Sequence, residues 1–279
     1  MARTAIDARA PRAIVEAMAL PRSIGAAQTT PIAGDVEANL AQHVELMRTA
    51  ATLDARILVF PELSLTGYEL ALADRLAFSE NDTRLGPLIE AAAQHAMVAV
   101  VGAPVRIDAQ LYIGAFAVMP DRSLALYTKP YLGAFSRREI PEGVIPPAED
   151  TIFQCGTRDP LIRWAGETAA VAVCAAALQP VHAQRAAERG ATSYLTSHFS
   201  IPVDVDFRAA VLSSYAKRHG MVTVFANYGA PTAGLPASGK SAVWSQAGEL
   251  IGRLAATGAG VLVAREANSG WRADAIMLE

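Results

Sequence analysis

Three residues of this 279-residue chain sit where chemistry has a use for them. Cys174 closes the apolar run Val171-Ala172-Val173 and precedes Ala175-Ala176-Ala177. A thiol at the end of a buried strand, opening a strand-to-helix turn, is placed to meet a substrate. Helix-terminal amides there can lower its pKa and hold an oxyanion. The ordinary alternative is a small buried hydrophobe, which is what most free cysteines are. Glu62 ends the run Ile57-Leu58-Val59-Phe60, follows Pro61 and precedes Leu63. An unpaired carboxylate in that frame is costly, and burial would raise its pKa toward the range of a general base. Its ordinary alternative is an exposed strand-end glutamate. Lys129, in Leu126-Tyr127-Thr128-Lys129-Pro130, ends a strand of alternating pattern. Such lysines are commonly solvated; drawn into a site, this one would stabilise a tetrahedral oxyanion.

Together these types match what amide cleavage asks for: a soft nucleophile, a base that takes its proton and returns it to the leaving amine, and donors for the oxyanion. The Ala175 N–H can share the last role with Lys129. A thioester would form, ammonia or an amine would leave, and water would release the acid. No metal or cofactor is required, and the few scattered histidines suggest none.

To bring three distant residues together, the chain must place several strand ends side by side. Asp35 can cap a helix whose Val36, Leu40, Val44 and Met47 fall at helical spacing. Residues 57–60 read as a strand buried on both faces, because the run is apolar without alternation. A helix over Gly86–Ala96, a buried strand over Met97–Val105 and a hairpin turning at Pro120-Asp121-Arg122 follow. Residues 133–168 are rich in Pro, Gly and charge and read as a long functional loop with short strands. Beyond Cys174, helices and strands alternate again to Glu266. Strands alternating with helices, and no linker or repeat, predict one α/β domain over 22–279, with residues 1–21 as an N-terminal extension. Within the extension, Ile6, Ala10, Ile14 and Met18 suggest a docked helix interrupted at Pro11.

Bulk properties narrow the partners. A formal net charge of −3 gives no basic footprint for nucleic acid. Mean hydropathy is +0.24, yet no apolar stretch reaches the ~18 residues of a membrane span. Two cysteines, Cys155 and Cys174, do not make a disulfide scaffold, and the N-terminus lacks an apolar signal core. A cytoplasmic protein acting on a small molecule is the expectation.

The segment from Ala26 to Tyr68, with Gln28, Gly34-Asp35, Ala38-Asn39-Leu40 and above all Phe60-Pro61-Glu62-Leu63-Ser64-Leu65-Thr66-Gly67-Tyr68, resembles the opening of a nitrilase-like carbon–nitrogen hydrolase. The resemblance continues through Val101-Gly102-Ala103-Pro104, Leu111-Tyr112, Tyr127-Thr128-Lys129-Pro130-Tyr131-Leu132, Ala237-Ser238-Gly239-Lys240-Ser241-Ala242-Val243-Trp244 and Gly248-Glu249-Leu250, covering about residues 22–266. It implies a four-layer α-β-β-α sandwich and a Glu–Lys–Cys triad: Glu62 as base, Lys129 as electrostatic stabiliser, Cys174 as nucleophile. It also implies a second acid after the lysine, for which Glu139 is preferred and Glu142 is the alternative. Tyr68, Ala175, His198 and Asn227, at strand ends or beside the triad, are the expected substrate-binding positions. A homodimer or larger homo-oligomer is implied, through a helix face from Val181 to Ala187.

One segment departs from the family pattern. The cysteine is usually followed, two residues on, by an aspartate and later by a glutamate; here Cys174-Ala175-Ala176-Ala177-Leu178-Gln179-Pro180-Val181 has neither. The Cys-Trp-Glu of true nitrilases is absent too, which argues against a nitrile substrate. The leading expectation is hydrolysis of a small amide or N-carbamoyl compound. The alternative is a catalytically degenerate relative with a binding or structural role.

Overall fold

The computed structural model describes residues 21–278, so the helix expected between Ile6 and Met18 lies outside the described residues. The first half runs β1 (Ser23–Gln28), α1 (Val36–Ala51), β2 (Ile57–Val59), α2 (Ala73–Leu76), α3 (Gly86–His95), β3 (Val98–Ile107), β4 (Gln110–Val118) and β5 (Leu124–Thr128). After a long loop follow β6 (Leu161–Trp164), β7 (Glu167–Val173), α4 (Pro180–Glu188), β8 (Ser193–Ser197), α5 (Val205–His219), β9 (Val222–Ala226), β10 (Ala242–Trp244), β11 (Leu250–Arg253), β12 (Gly260–Ala267) and β13 (Gly270–Met277). Local signals explain the boundaries. The Asp35 carboxylate accepts from the Ala38 N–H at 3.0 Å and caps α1. Gly220, at φ +64°, ends α5 just after Lys217-Arg218-His219.

The strands form two sheets, ordered β13-β12-β1-β2-β3-β4-β5 and β11-β10-β9-β8-β7-β6. Each has a parallel centre, β1–β2–β3 in one and β7–β8–β9 in the other, flanked by antiparallel strands. The parallel crossovers carry α1 and α3 in the first sheet and α4 and α5 in the second. Side-chain alternation then decides the layers. Ile57 and Val59 turn toward the second sheet, joining Val171, Val173 and Val224, whereas Leu58 between them faces Leu46, Met47 and Leu88 of the outer helices. Ala170 and Ala172 of β7 turn outward onto Ala183, Ala186 and Leu212 of α4 and α5. The result is the four-layer α-β-β-α sandwich. Strands buried on both faces have no polar side to show, hence the unbroken apolar runs.

Three contacts lock the carboxyl ends of the two parallel centres against each other. The Ser197 hydroxyl donates to the Phe60 carbonyl at 2.7 Å. The Glu62 N–H donates to the His198 carbonyl at 3.4 Å, and the Tyr228 hydroxyl donates to the Glu62 carbonyl. Since Val173 pairs in register with Ser197, the residue after Val173 is carried to the same place as the residues after Phe60.

Candidate active site

Glu62 leaves β2 on a tight turn, Pro61–Thr66, in which Leu63 takes φ +52°. The turn lies directly on β3 at Gly102, where a Cβ would stand 2.4 Å from the Leu63 nitrogen and 2.8 Å from the Pro61 oxygen. Only glycine allows that approach. Ser64 secures the turn: its hydroxyl oxygen accepts from the Gly102 N–H at 3.2 Å and is 2.8 Å from His43 Nε2. Lys129 follows β5, with its N–H on the Ile113 carbonyl and its own carbonyl accepting from Gly156. Cys174 follows β7 and opens the 3-10 turn Cys174–Leu178 at φ +47°. A non-glycine residue in this region stores strain of the kind found where a nucleophile is held out on a sharp turn.

Their side chains converge. Lys129 Nζ, fully buried, is 2.7 Å from Glu62 Oε1. The same ammonium is 2.8 and 2.7 Å from the two oxygens of Glu149, a residue the sequence reading passed over. The Tyr68 hydroxyl donates to Glu149 Oε1 at 2.6 Å and the Gly133 N–H to Oε2 at 2.7 Å. Glu62 Oε2, by contrast, has no hydrogen-bond partner among the described residues. Burial pushes the Glu62 carboxyl above the usual range, with Lys129 as the main opposing influence. Burial works against the Lys129 ammonium as well, but Glu62 and Glu149 together hold it charged, above an ordinary lysine. The Cys174 thiol is pushed up to about 12, first by burial and then by the Glu62 charge, while Arg208 and Lys129 pull the other way. Arg208 Nη1 lies 3.5 Å from Cys174 Sγ, and Sγ is 3.9 Å from the Phe199 carbonyl.

The structure therefore brings Glu62, Lys129 and Cys174 into one buried cluster. Several of the remaining expectations need correction. Glu139 is not the second acid. It stands half-exposed in the loop, where its carboxylate accepts from the Ser136 N–H and hydroxyl at 2.9 and 2.7 Å, and the exposed Glu142 does not take its place. The loop from Leu132 runs on to Pro147 before the 3-10 turn Glu149–Thr151 returns the chain to Lys129, and its length is not written in any local pattern. The available signal was the frame of Glu149, Phe153 and Gly156: Phe153 is buried, its N–H bonds the Glu149 carbonyl, and Gly156 meets Lys129.

His198 and Asn227 are fully buried. Asn227 spends its amide on Ser200, Ser238 and Gly239, tying loops together, because a strand end next to two loops needs its backbone groups satisfied. His198 packs at a tilt against Phe225 and faces Arg208 and Thr196. The Tyr68 hydroxyl orients Glu149. Ala175 remains well placed: it is in the first turn of its 3-10 helix, where a backbone N–H has no intrahelical acceptor.

Comparison with known proteins agrees with this architecture. The carbon–nitrogen hydrolase family matches residues 23–273, and the chain belongs to that family. Glutamine-dependent NAD(+) synthetases are similar over part of it. That of Mycobacterium bovis is 32% identical over 117 residues, 39% of this chain and 17% of that protein. That of Thermotoga maritima is 34% identical over 121 residues, 40% of this chain and 20% of that protein. The shared stretch is thus a fifth or less of those relatives. Among solved structures, a mutant amidase from Nesterenkonia sp. AN1, with the acetamide moiety of fluoroacetamide added at its active-site cysteine, has a TM-score of 0.75 at 24% identity, covering 88% of this chain and 89% of that one. A mutant of the same amidase in complex with butyramide has a TM-score of 0.75 at 23% identity, covering 88% and 90%. These likenesses establish the shared fold. Among the described residues, no helix is long and apolar enough to cross a membrane.

Proposed function

We propose that this chain hydrolyses the C–N bond of a small, uncharged amide through a Cys174 thioester. The observation that carries the reading is Glu62: one oxygen is engaged by Lys129, while the other is unpartnered in a buried site shared with a thiol. Glu62 takes the thiol proton and the sulfur attacks the carbonyl carbon. Lys129 Nζ and the Ala175 N–H hold the oxyanion. Glu62 then returns the proton to the departing nitrogen, and later takes one from the water that opens the thioester. Glu149 keeps Lys129 charged and aimed.

Support for a neutral amide comes from a cavity of about 550 Å³ whose walls include Glu139, Ile140, Glu142, Ile201 and Leu235. Ile140, Ile201 and Leu235 belong to the same apolar cluster as Tyr68 and Cys174. Ile201 lies two residues beyond Phe199, whose carbonyl meets Sγ. Two carboxylates over apolar walls disfavour an anionic substrate. Arg137, in the same loop, is turned to the Gly143 carbonyl at 2.8 Å. The fluoroacetamide that reacted with one mutant of the Nesterenkonia amidase and the butyramide in complex with another are of the proposed class.

A screen of acetamide, butyramide, acrylamide and N-carbamoylglycine for ammonia release tests the reading, with Cys174→Ala as control. Release from the neutral amides, lost in the control, is the expected result. No release from any of them, with a thiol that alkylates as slowly as Cys155, would favour the binding role instead. We also read the chain as a homo-oligomer through α4 and α5, which expose Val181 (39%) and Phe207 (65%). Light scattering should show Phe207→Asp with fewer subunits per particle.

A further inference from the structure

Arg208 is a charged side chain in contact with the nucleophile. It lies on α5, is only 8% exposed, and places Nη1 3.5 Å from Cys174 Sγ. Its Nε donates to Asp204 Oδ2 at 2.7 Å, one helical turn earlier. Asp204 is itself fixed, since Oδ1 accepts from the Ser200 hydroxyl at 2.5 Å and from the Ile201 N–H at 3.1 Å. One edge of the guanidinium is therefore anchored and the other is aimed at sulfur.

His198 completes the mounting. The Thr196 hydroxyl donates to the Val224 carbonyl at 2.5 Å, so its oxygen accepts from His198 Nε2–H at 3.0 Å. Nδ1 is then the unprotonated nitrogen, and it takes a second Arg208 Nη1 hydrogen at 3.5 Å. Burial, and then Arg208, hold this imidazole neutral, well below an ordinary histidine. It offers a lone pair without adding a competing charge.

Moving the thiol proton to Glu62 Oε2 breaks S–H, forms O–H and leaves the electron pair on sulfur. Before the transfer the negative charge sits on Glu62, paired with Lys129. After it, the charge sits on a buried sulfur that needs a cation of its own. The three residues that follow Cys174 carry only methyl groups, so this side of the sulfur is open to α5. Around Sγ stand Glu62 from the turn after β2, Tyr68 beyond it, Lys129 after β5, Glu149 in its 3-10 turn, His198 after β8, and Arg208 with Asp204 from α5.

We propose that Arg208 is a catalytic residue, the counter-ion that receives the Cys174 thiolate, positioned by Asp204 and by neutral His198. The assignment rests on the hydrolase reading of Cys174 and names the second cation that reading needs.

The test is the pH dependence of iodoacetamide alkylation in the full chain carrying Cys155→Ser, so that only Cys174 reacts. Arg208→Gln should raise the midpoint by about one unit or more and slow alkylation at neutral pH about tenfold. Arg208→Lys, which keeps a cation, should recover most of both. Asp204→Asn removes the carboxylate that competes for the guanidinium and should move the midpoint the opposite way, downward. A purely structural role would not produce opposite signs. If Arg208→Gln does not fold by circular dichroism, Asp204→Asn decides, and a raised midpoint there overturns the proposal. An unmoved midpoint in folded Arg208→Gln also overturns it, leaving the hydrolase reading intact. In the chain with both thiols, a Cys174 that labels no faster than Cys155 overturns the hydrolase reading itself.

Discussion

Both carboxylate oxygens of Glu149 lie within 2.8 Å of Lys129 Nζ, and Tyr68 and Gly133 hold that carboxylate in place. The lysine is thus shared between two acids, and only Glu62 has an oxygen to spare. Glu149→Gln would leave a buried ammonium with one anion. Losing a partner from such a pair costs about 3 kcal/mol, which in a domain of this size lowers Tm by roughly 6–12 °C. Turnover should fall about a hundredfold as the oxyanion donor loses its aim. Glu139→Gln, in the half-exposed loop, should change stability by no more than about 0.5 kcal/mol. Calorimetry and ammonia release on the two variants check the contrast, and equal effects would contradict it.

Asn227 is expected to matter for stability and not for substrate affinity. Its amide makes four hydrogen bonds, to Ser200 N and O, Ser238 Oγ and Gly239 O. Asn227→Ala leaves the Ser200 N–H and the Gly239 carbonyl without these partners, while the Ser200 carbonyl and Ser238 hydroxyl keep each other, at about 2–4 kcal/mol in all. KM should stay within about twofold for whatever protein remains folded. A large rise in KM at unchanged Tm would instead mark Asn227 as a substrate contact.

Gly102→Ala tests whether the turn bearing Glu62 is held by backbone contact. The added methyl would sit 2.4 Å from the Leu63 nitrogen, so the turn must shift. A displacement of about 1 Å at a catalytic group can cost on the order of a hundredfold in rate. Gly86→Ala, at a helix start with nothing within 4 Å of the new methyl, is the control and should stabilise by about 0.5–1 kcal/mol. Thermal melts with kinetics on the pair distinguish misplacement from a general loss of fold.

Acid should unfold this protein partly through His43. The ring stacks on Phe60 at 4.2 Å and touches Ser64, and burial lowers its pKa from 6.5 to about 4. A folded-state value below the unfolded one means the unfolded chain takes the proton first. Stability is therefore intact above pH 6.5 and lost as pH falls from there toward 4. The loss approaches ~3 kcal/mol for this group alone. Denaturant midpoints of the native chain and His43→Gln across that range should converge on acidification, and parallel curves would remove His43 from the account.

Much of this was legible in the chain itself. Apolar runs without alternation, such as Ile57–Phe60, report strands buried on both faces, and Asp35 announces the start of α1. Glu62 and Cys174 end such runs, and Lys129 ends a strand of alternating pattern, each with a group that burial penalises. Glu149 gives no such signal. It sits in a polar loop, and only where that loop returns to Lys129 makes it buried. Arg208 is likewise one charge among several on a surface helix until α5 is packed over β9 and the turn that follows β7.

Local sequence determines which segments are strands, which faces they bury and which three residues are out of place in them, because those properties depend on periodicity and transfer free energy over a few neighbours. Tertiary structure alone decided which carboxylate meets the lysine and which guanidinium meets the thiol. The length and path of a loop, and the facing of one helix, depend on packing between elements far apart in the chain. That is why His198 and Asn227, at strand ends suited to binding, turned out to be fully enclosed.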